Sequence, residues 1–463
     1  MRVVRIHPIL RSLFAVGLGI FFISGCRSLP AIHPDMAPVG KAPVLENGKG
    51  PLSAARSKAI IDELKRRTPD TNILERHLAL EQAMVDSPLV TDNKVTLLQD
   101  GPATYKAMLA AIADAKSHVH METYIFEDDE TGRQFAQALI AKQNQGVPVA
   151  MIYDAVGTMG TSAEFFKTLT DAGVQVLQFN PVNPLTAKAG WNVNQRDHRK
   201  LLVVDGRTAF LGGINISAVY SGGSAKSAPR KGAKLPWRDT HLQIEGPAVA
   251  EYQRMFIDTW TKQKGPPLPS REFFPKLTPR GKEIVRAIAG SPDDAYSAIY
   301  ATLISAIESA EKEIWLTNAY FAPDPQLRAT LADAVKRGVD VRLILPSKTD
   351  SGLIFNAGRS YYDEMLQAGV KIYERRDALL HSKTAVIDGV WSTIGSTNLD
   401  WRSFLHNQEV NAVILGPDFA AQMKAVFEHD QAASTPVTLE AWQHRPVGWR
   451  IKEGLARMWE YWL

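Results

Sequence analysis

Apolar and polar positions change period several times along this chain. Between residues 53 and 88 they recur at helical spacing, as in "SKAIIDELKRR", and predict a helical neck or an extension of a first domain. From about residue 92, short strand-like runs alternate with helical segments, and the whole succession is written twice. The period of about 190 residues is too long for a solenoid unit and marks two copies of a domain. "NKVTLLQDGPATYKAMLAAIADAKSHVHMETYIF" is answered by "KEIVRAIAGSPDDAYSAIYATLISAIESAEKEIWLTNAYF". "ALIAKQNQGVPVAMIYD" is answered by "ADAVKRGVDVRLILP", each a helical pattern stopped by Gly146 or Gly338 before a strand. "LTDAGVQVLQF" and "LQAGVKIYE" match in the same way, with Gly173 and Gly369 in one role. The alternation predicts an α/β fold of two tandem domains, each a mostly parallel mixed sheet flanked by helices.

Each copy closes on a strand, an Asp-Gly pair and a second strand. These are "DHRKLLVVDGRTAFLGGIN" (Asp197 to Asn215) and "LHSKTAVIDGVWSTIGSTN" (Leu380 to Asn398). Asp-Gly between two such runs is a hairpin signal. Strand alternation puts His198 and Lys200 on one face, and likewise His381 and Lys383. The skeleton His-x-Lys-x4-Asp-x6-Gly-(Gly/Ser)-x-Asn keeps its spacing in both copies. Either histidine alone would read as a packed core residue; two in the same skeleton read as chemistry. The residue types suit a phosphodiester. Lys200 and Lys383 supply positive charge, and Asn215 and Asn398 supply amide donors to the non-bridging oxygens. One imidazole can attack phosphorus while the other serves as acid and then base.

The doubled skeleton resembles the signature of the phospholipase D superfamily over residues 92–430. "METYIFEDDETGRQFAQALI", "HRKLLVVDG" and "WRDTHLQIEGPAV" are similar, more narrowly, to bacterial cardiolipin synthases. The resemblance implies one active site shared at the interface of the two domains, a phosphohistidine intermediate, and no metal or other cofactor. It favours His198 as nucleophile and His381 as acid and base. It also implies an orienting acid for each histidine: Asp239 and Glu409, which stand seven residues before Gly246-Pro247 and Gly416-Pro417, bonded to the histidine of their own half. Asp205 and Asp388 belong to the signature's catalytic set, but each sits in an Asp-Gly turn that favours Asp for its geometry, and their expected role is structural or supporting. Ser396 is a candidate to donate to phosphate or to steady its loop, and Gly213 replaces it in the first copy. The expected reaction is phosphatidyl transfer between two phosphatidylglycerol molecules, with phosphatidylethanolamine or another alcohol open as acceptor. A hydrolytic phospholipase D, an exported nuclease and a catalytically silent membrane scaffold are the alternatives.

Charge and composition narrow these. The chain has 53 Lys and Arg against 49 Asp and Glu, and subtracting Arg2, Arg5 and Arg11 leaves 50 against 49. A body this close to neutral lacks the bulk footprint of a nucleic-acid binder. Those arginines precede the apolar run Leu13 to Ile23, which is too short for a comfortable membrane span. The run ends in Ile23-Ser24-Gly25-Cys26, similar to the lipobox of bacterial lipoproteins, and Cys26 is the chain's one cysteine; the alternative is an uncleaved anchor helix with an incidental cysteine. A lipidated Cys26 implies a membrane-anchored envelope protein with its catalytic body outside the cytoplasm. No cysteine then remains for a thiolate metal site, and the histidines lack paired ligand spacing.

Two further segments bear on lipid. Asn215 and Asp239 are 24 positions apart and Asn398 and Glu409 only 11, so the first copy carries an insertion. It holds Lys226, Arg230, Lys231 and Lys234, either a mobile polar loop or a basic lip for anionic headgroups. In the tail "RPVGWRIKEGLARMWEYWL", Ile451, Leu455, Met458, Trp459 and Trp462 share a helical face. That stripe fits an interfacial membrane helix and a helix docked on the body equally well. The resulting organisation is a signal peptide over 1–25, a Pro/Gly-rich tether over 26–52 and a helical extension over 53–91. Domains over 92–265 and 282–435 follow, joined by a linker at 266–281, with an amphipathic tail at 436–463.

Overall fold

The computed structural model describes residues 29–32, 43–68, 71–183, 191–223 and 235–462. Two sheets correspond strand for strand. The first comprises β1 Leu89–Gln99, β2 Val119–Thr123, β3 Val149–Asp154, β4 Gln175–Phe179, β5 Lys200–Val204, β6 Thr208–Gly212 and β7 Thr240–Glu245. The second comprises β8 Glu283–Gly290, β9 Glu313–Asn318, β10 Asp340–Pro346, β11 Lys371–Arg375, β12 Lys383–Ile387, β13 Trp391–Gly395 and β14 Asn407–Leu415.

Each sheet is mixed. Strands β2, β3 and β4 pair in parallel, while β2–β5, β5–β6, β6–β7 and β7–β1 are antiparallel. The second half repeats the order from β11 through β10, β9, β12, β13 and β14 to β8. Parallel neighbours need long crossovers, supplied in the first half by the helices Glu130–Asn144 and Ala163–Asp171. Asp129 and Ser162 cap their first turns. Gly146, Gly173, Gly338 and Gly369 stand at positive φ just past helix ends, where a Cβ would be strained.

The halves join through β1. Its early residues pair with β8 and its later ones with β7, Val90 opposite Val285 and Leu97 opposite Leu242. Apolar side chains from both sheets, among them Leu211, Ile244, Val410 and Ile414, pack into one buried core with Phe256 and Phe419.

The helical extension belongs to the second half, not the first. Ile73, Leu74 and Leu78 share a core with Tyr300, Ile304 and Trp391, and His77 Nδ1 lies 2.9 Å from Ser305 Oγ. The helix Ala298–Ser309 is apolar around most of its circumference and needs cover on more than one side. The tether ends earlier than its composition implies: Leu45–Asn47 pairs with Gly50–Pro51 and adds in parallel to β1. Cys26 and the basic insertion with Lys226, Arg230, Lys231 and Lys234 lie outside the described residues. Among the described residues no helix is long and apolar enough to cross a membrane.

Candidate active site

The two signature hairpins form as their Asp-Gly pairs demand. Asp205 and Gly206 have φ of 56° and 61°, and Asp388 and Gly389 have 50° and 62°. Positive φ at both central residues is the turn whose twist matches a hairpin. The aspartates do more than turn the chain. Asp205 accepts from the backbone amides of Lys116, Ser117 and His118 at 2.8, 2.7 and 3.0 Å. Asp388 accepts from Glu311, Lys312 and Glu313 at 2.9, 2.8 and 3.0 Å, and from the Thr71 hydroxyl at 2.6 Å. Both sit at the far end of their strand from the lysine. In these positions they act as structural ties.

His198 and His381 meet on the wall of one open cleft of about 980 Å³, with Asn215, Asn398, Tyr124 and Tyr320. The acids reach them across the domain boundary, which corrects the own-half assignment. Arg196–Asp197 pairs in parallel with Asn407–Gln408, and the His198 amide donates to Gln408 O at 2.9 Å. The next residue on that strand is Glu409, whose carboxylate lies 3.0 and 3.1 Å from His198 Nδ1. In the same way Trp237–Arg238 pairs with Leu379–Leu380, and the His381 amide donates to Arg238 O at 2.8 Å. Asp239 follows, 2.7 Å from His381 Nδ1. The inter-domain register decides the partner: each histidine strand is stitched to the other half's acid strand.

The remaining expected residues divide. Asn215 lines the cleft, held by donation to the Tyr220 hydroxyl at 3.2 Å and by the Ile125 amide on its Oδ1 at 3.2 Å. Asn398 lines it too, and its Oδ1 has no partner among the described residues. The lysines lie behind the imidazoles. Lys200 Nζ donates to His198 O at 2.5 Å, and Lys383 Nζ donates to His381 O. Ser396 is not placed to meet a phosphate. Its buried hydroxyl donates to Glu409 and accepts from the Val410 amide at 3.0 Å. Its counterpart Gly213 has no room for a side chain, since a Cβ there would lie 2.2 Å from Asp239 Oδ1. The two differences compensate. The shorter Asp draws its carboxylate back against a glycine, and the longer Glu leaves room for a hydroxyl that holds it.

Burial dominates the electrostatics. It holds His198 well below the ordinary histidine range, with Lys200 and Lys383 adding to the effect. His381 is lowered chiefly by burial and by Lys383, while the bond to Asp239 opposes the shift. Burial takes Lys200 down to about 7 and Lys383 to about 8, and pushes Glu409 up to about 7. The cleft thus holds its positive charge at a cost that an arriving anion relieves.

Several residues that line the cleft or back its histidines carry no signature. Tyr220 places its hydroxyl 3.2 Å from His381 Nδ1, and the Tyr124 ring meets His198 edge-on at 5.0 Å. Tyr124 and Tyr320 stand just past the C-terminal ends of the equivalent strands β2 and β9, the end where α/β sheets present ligand sites, so the repeat could have flagged them. Trp237, Arg402 and Asp400 have no such local signal. His118 and His120 both bond Gln253, at 2.9 and 2.7 Å, away from the cleft.

Two homologous half-sites, each an imidazole over an ammonium and backed by the other half's carboxylate, define a center for displacement at a phosphodiester. The family model described as "Cardiolipin synthase, PLD-like domain" matches residues 108–220 and 303–431. A cardiolipin synthase of Geobacillus sp. (strain WCH70) is 36% identical over 384 residues, covering 82% of this chain and 74% of that protein. One from Geobacillus kaustophilus (strain HTA426) is 35% identical over 418 residues, covering 87% and 81%. The solved phosphatidylserine synthase of Haemophilus influenzae Rd KW20 has the same fold, with a TM-score of 0.63 at 13% identity, over 83% of this chain and 99% of that one. The chain belongs to the cardiolipin synthase family of the phospholipase D superfamily.

Proposed function

We propose that this chain is a phosphatidyltransferase that joins two phosphatidylglycerol molecules into cardiolipin and releases glycerol. The observation that carries the reading is the cross-paired site, His198 on Glu409 and His381 on Asp239 around one cleft. With Nδ1 of His198 facing a carboxylate, its Nε2 is the nitrogen left to the cleft, and a depressed pKa keeps its lone pair free. That nitrogen attacks phosphorus, the P–O bond to the headgroup glycerol breaks, and His381 gives the departing alkoxide its proton. A hydroxyl of the second phosphatidylglycerol then loses its proton to His381 and attacks the phosphohistidine. The P–N bond breaks and cardiolipin leaves. His381 suits the acid role because Asp239 favors its cation, and the incoming phosphodiester adds further negative charge. Lys200 and Lys383 regain full charge against the same anion, and the amides of Asn215 and Asn398 are the candidate donors to its oxygens.

The full chain, given phosphatidylglycerol labelled in its headgroup, should release glycerol and accumulate cardiolipin. Phosphatidic acid as the sole product would make it a hydrolase. Acid-labile phosphate trapped on His381 rather than His198 would reverse the two roles. The leader over residues 1–25, followed by Cys26, supports a lipid-anchored body outside the cytoplasm, tested by the mass of the mature N-terminus and its change in Cys26→Ala. The proposed domain limits, 92–265 and 282–435, rest on the repeat, which the strand correspondence supports.

A further inference from the structure

The helix Val447–Arg457 is docked the wrong way round for a soluble protein. Its buried side chains are Glu453 and Ala456, at 2% and 3% exposure. Glu453 accepts from Arg445 at 2.9 and 3.0 Å, and Arg445 also reaches Asp363 at 2.8 Å. This polar clamp turns the apolar stripe outward. Ile451, Leu455, Met458 and Trp459 are 58%, 59%, 78% and 58% exposed. Scattered exposed apolar residues need no explanation; a contiguous stripe held outward marks an interaction surface.

The charges on the same surface select the partner. Arg450, Lys452 and Arg457 are exposed; of the segment's two acids, Glu453 is buried on Arg445, and Glu460 is half-buried between the Tyr361 hydroxyl and Arg457, 3.9 Å away, so the exposed charge is net positive. A second copy would set like charges face to face, whereas an anionic surface would be attracted. The stripe also continues into the active-site cleft. Trp462 lines it, and the Trp462 carbonyl accepts from Arg402 at 3.5 Å. Beside the helix, Ile354 lines the cleft while its neighbor Leu353 is exposed.

We propose that this face of the C-terminal segment seats the cleft mouth on a bilayer rich in anionic phospholipid. Apolar side chains and tryptophans enter the headgroup boundary, and the three cations remain at its surface. The proposal rests on phosphatidyl transfer as the reaction: a cleft that takes two lipid substrates gains when its rim lies where they reside. Each exposed cation should strengthen partitioning onto an anionic surface about fivefold.

The test is hydrogen exchange on the full chain, with vesicles of phosphatidylglycerol and phosphatidylcholine, with phosphatidylcholine alone, and without lipid. Amides of residues 447–462 should gain protection on the anionic vesicles and far less on the neutral ones. Ile451→Glu with Leu455→Glu should abolish the gain and lower turnover of vesicular phosphatidylglycerol at least tenfold, about the factor for burying one exposed aliphatic side chain. Turnover of short-chain, water-soluble phosphatidylglycerol should change by less than about twofold, because neither side chain touches the cleft. Met458→Glu provides a second variant at a still more exposed position. Unchanged exchange on vesicles overturns the proposal, as does equal loss on vesicular and soluble substrate. Protection that appears without lipid and grows with protein concentration assigns the face to a second copy instead. Vesicle protection without any cardiolipin formed would sink the transfer reading and leave the docking surface standing.

Discussion

Replacing Asp205 with Ala removes a carboxylate that accepts from three consecutive backbone amides, those of Lys116, Ser117 and His118. Three charge-assisted bonds at ~1.5 kcal/mol each would total about 4.5 kcal/mol. The Lys116 end is open to water, which re-solvates its amide, so roughly half of that, ~2–3 kcal/mol, is the expected net loss. Alanine must also hold φ at 56°, which adds about 1 kcal/mol. At ~2 °C per kcal/mol for a large cooperative unit, the unfolding midpoint should fall by about 6–8 °C. Asp205→Asn keeps an acceptor and tolerates the turn, so it should lose about half as much. Calorimetry gives the midpoint, and turnover per folded molecule, measured well below it, should stay within about twofold of the parent. A midpoint unchanged to about 1 °C together with a hundredfold loss of turnover would refute the reasoning and return Asp205 to the chemistry.

Three further outcomes follow from the cleft. Glu409→Gln keeps the volume but removes the carboxylate that orients His198, so turnover should fall about 10²–10⁴-fold with the thermal midpoint little changed. Gly213→Ser drives a Cβ into Asp239 and should lower turnover more than Ser396→Ala, which removes a single bond to Glu409 and is expected to cost about tenfold; the reverse ranking would contradict the Gly/Asp and Ser/Glu pairing. In the free enzyme Lys200 and Lys383 lose their charge as pH rises through about 7 and 8, so kcat/KM should decline above neutrality. Bound anion raises both groups, and the corresponding limb of kcat should lie at higher pH; coincident limbs would show that these lysines do not sense the substrate.

Much of this molecule was legible because its signals are local. Glycines past helix ends, Asp-Gly turns and strand alternation act within a few residues, so they announced the elements and the doubled domain without any packing information. The repeat itself located Asp239 and Glu409. The same locality explains the misassignments. Nothing near Ser396 reveals that a carboxylate from a neighboring strand will take its hydroxyl. Nothing in the stripe of 451–462 tells whether the body will grip its apolar or its polar face.

By itself, then, the sequence determined the class of fold, the two half-sites and the kinds of side chain each would present. Tertiary structure decided which carboxylate serves which histidine, which half the residue 53–88 extension covers, and which face the last helix turns to solvent. The reason is register. Asp197 opposite Gln408 and Leu380 opposite Arg238 are pairings between segments about 140 to 210 residues apart. They are set by how two whole sheets pack around a shared core, and that is a property of the assembled interface rather than of any stretch of chain.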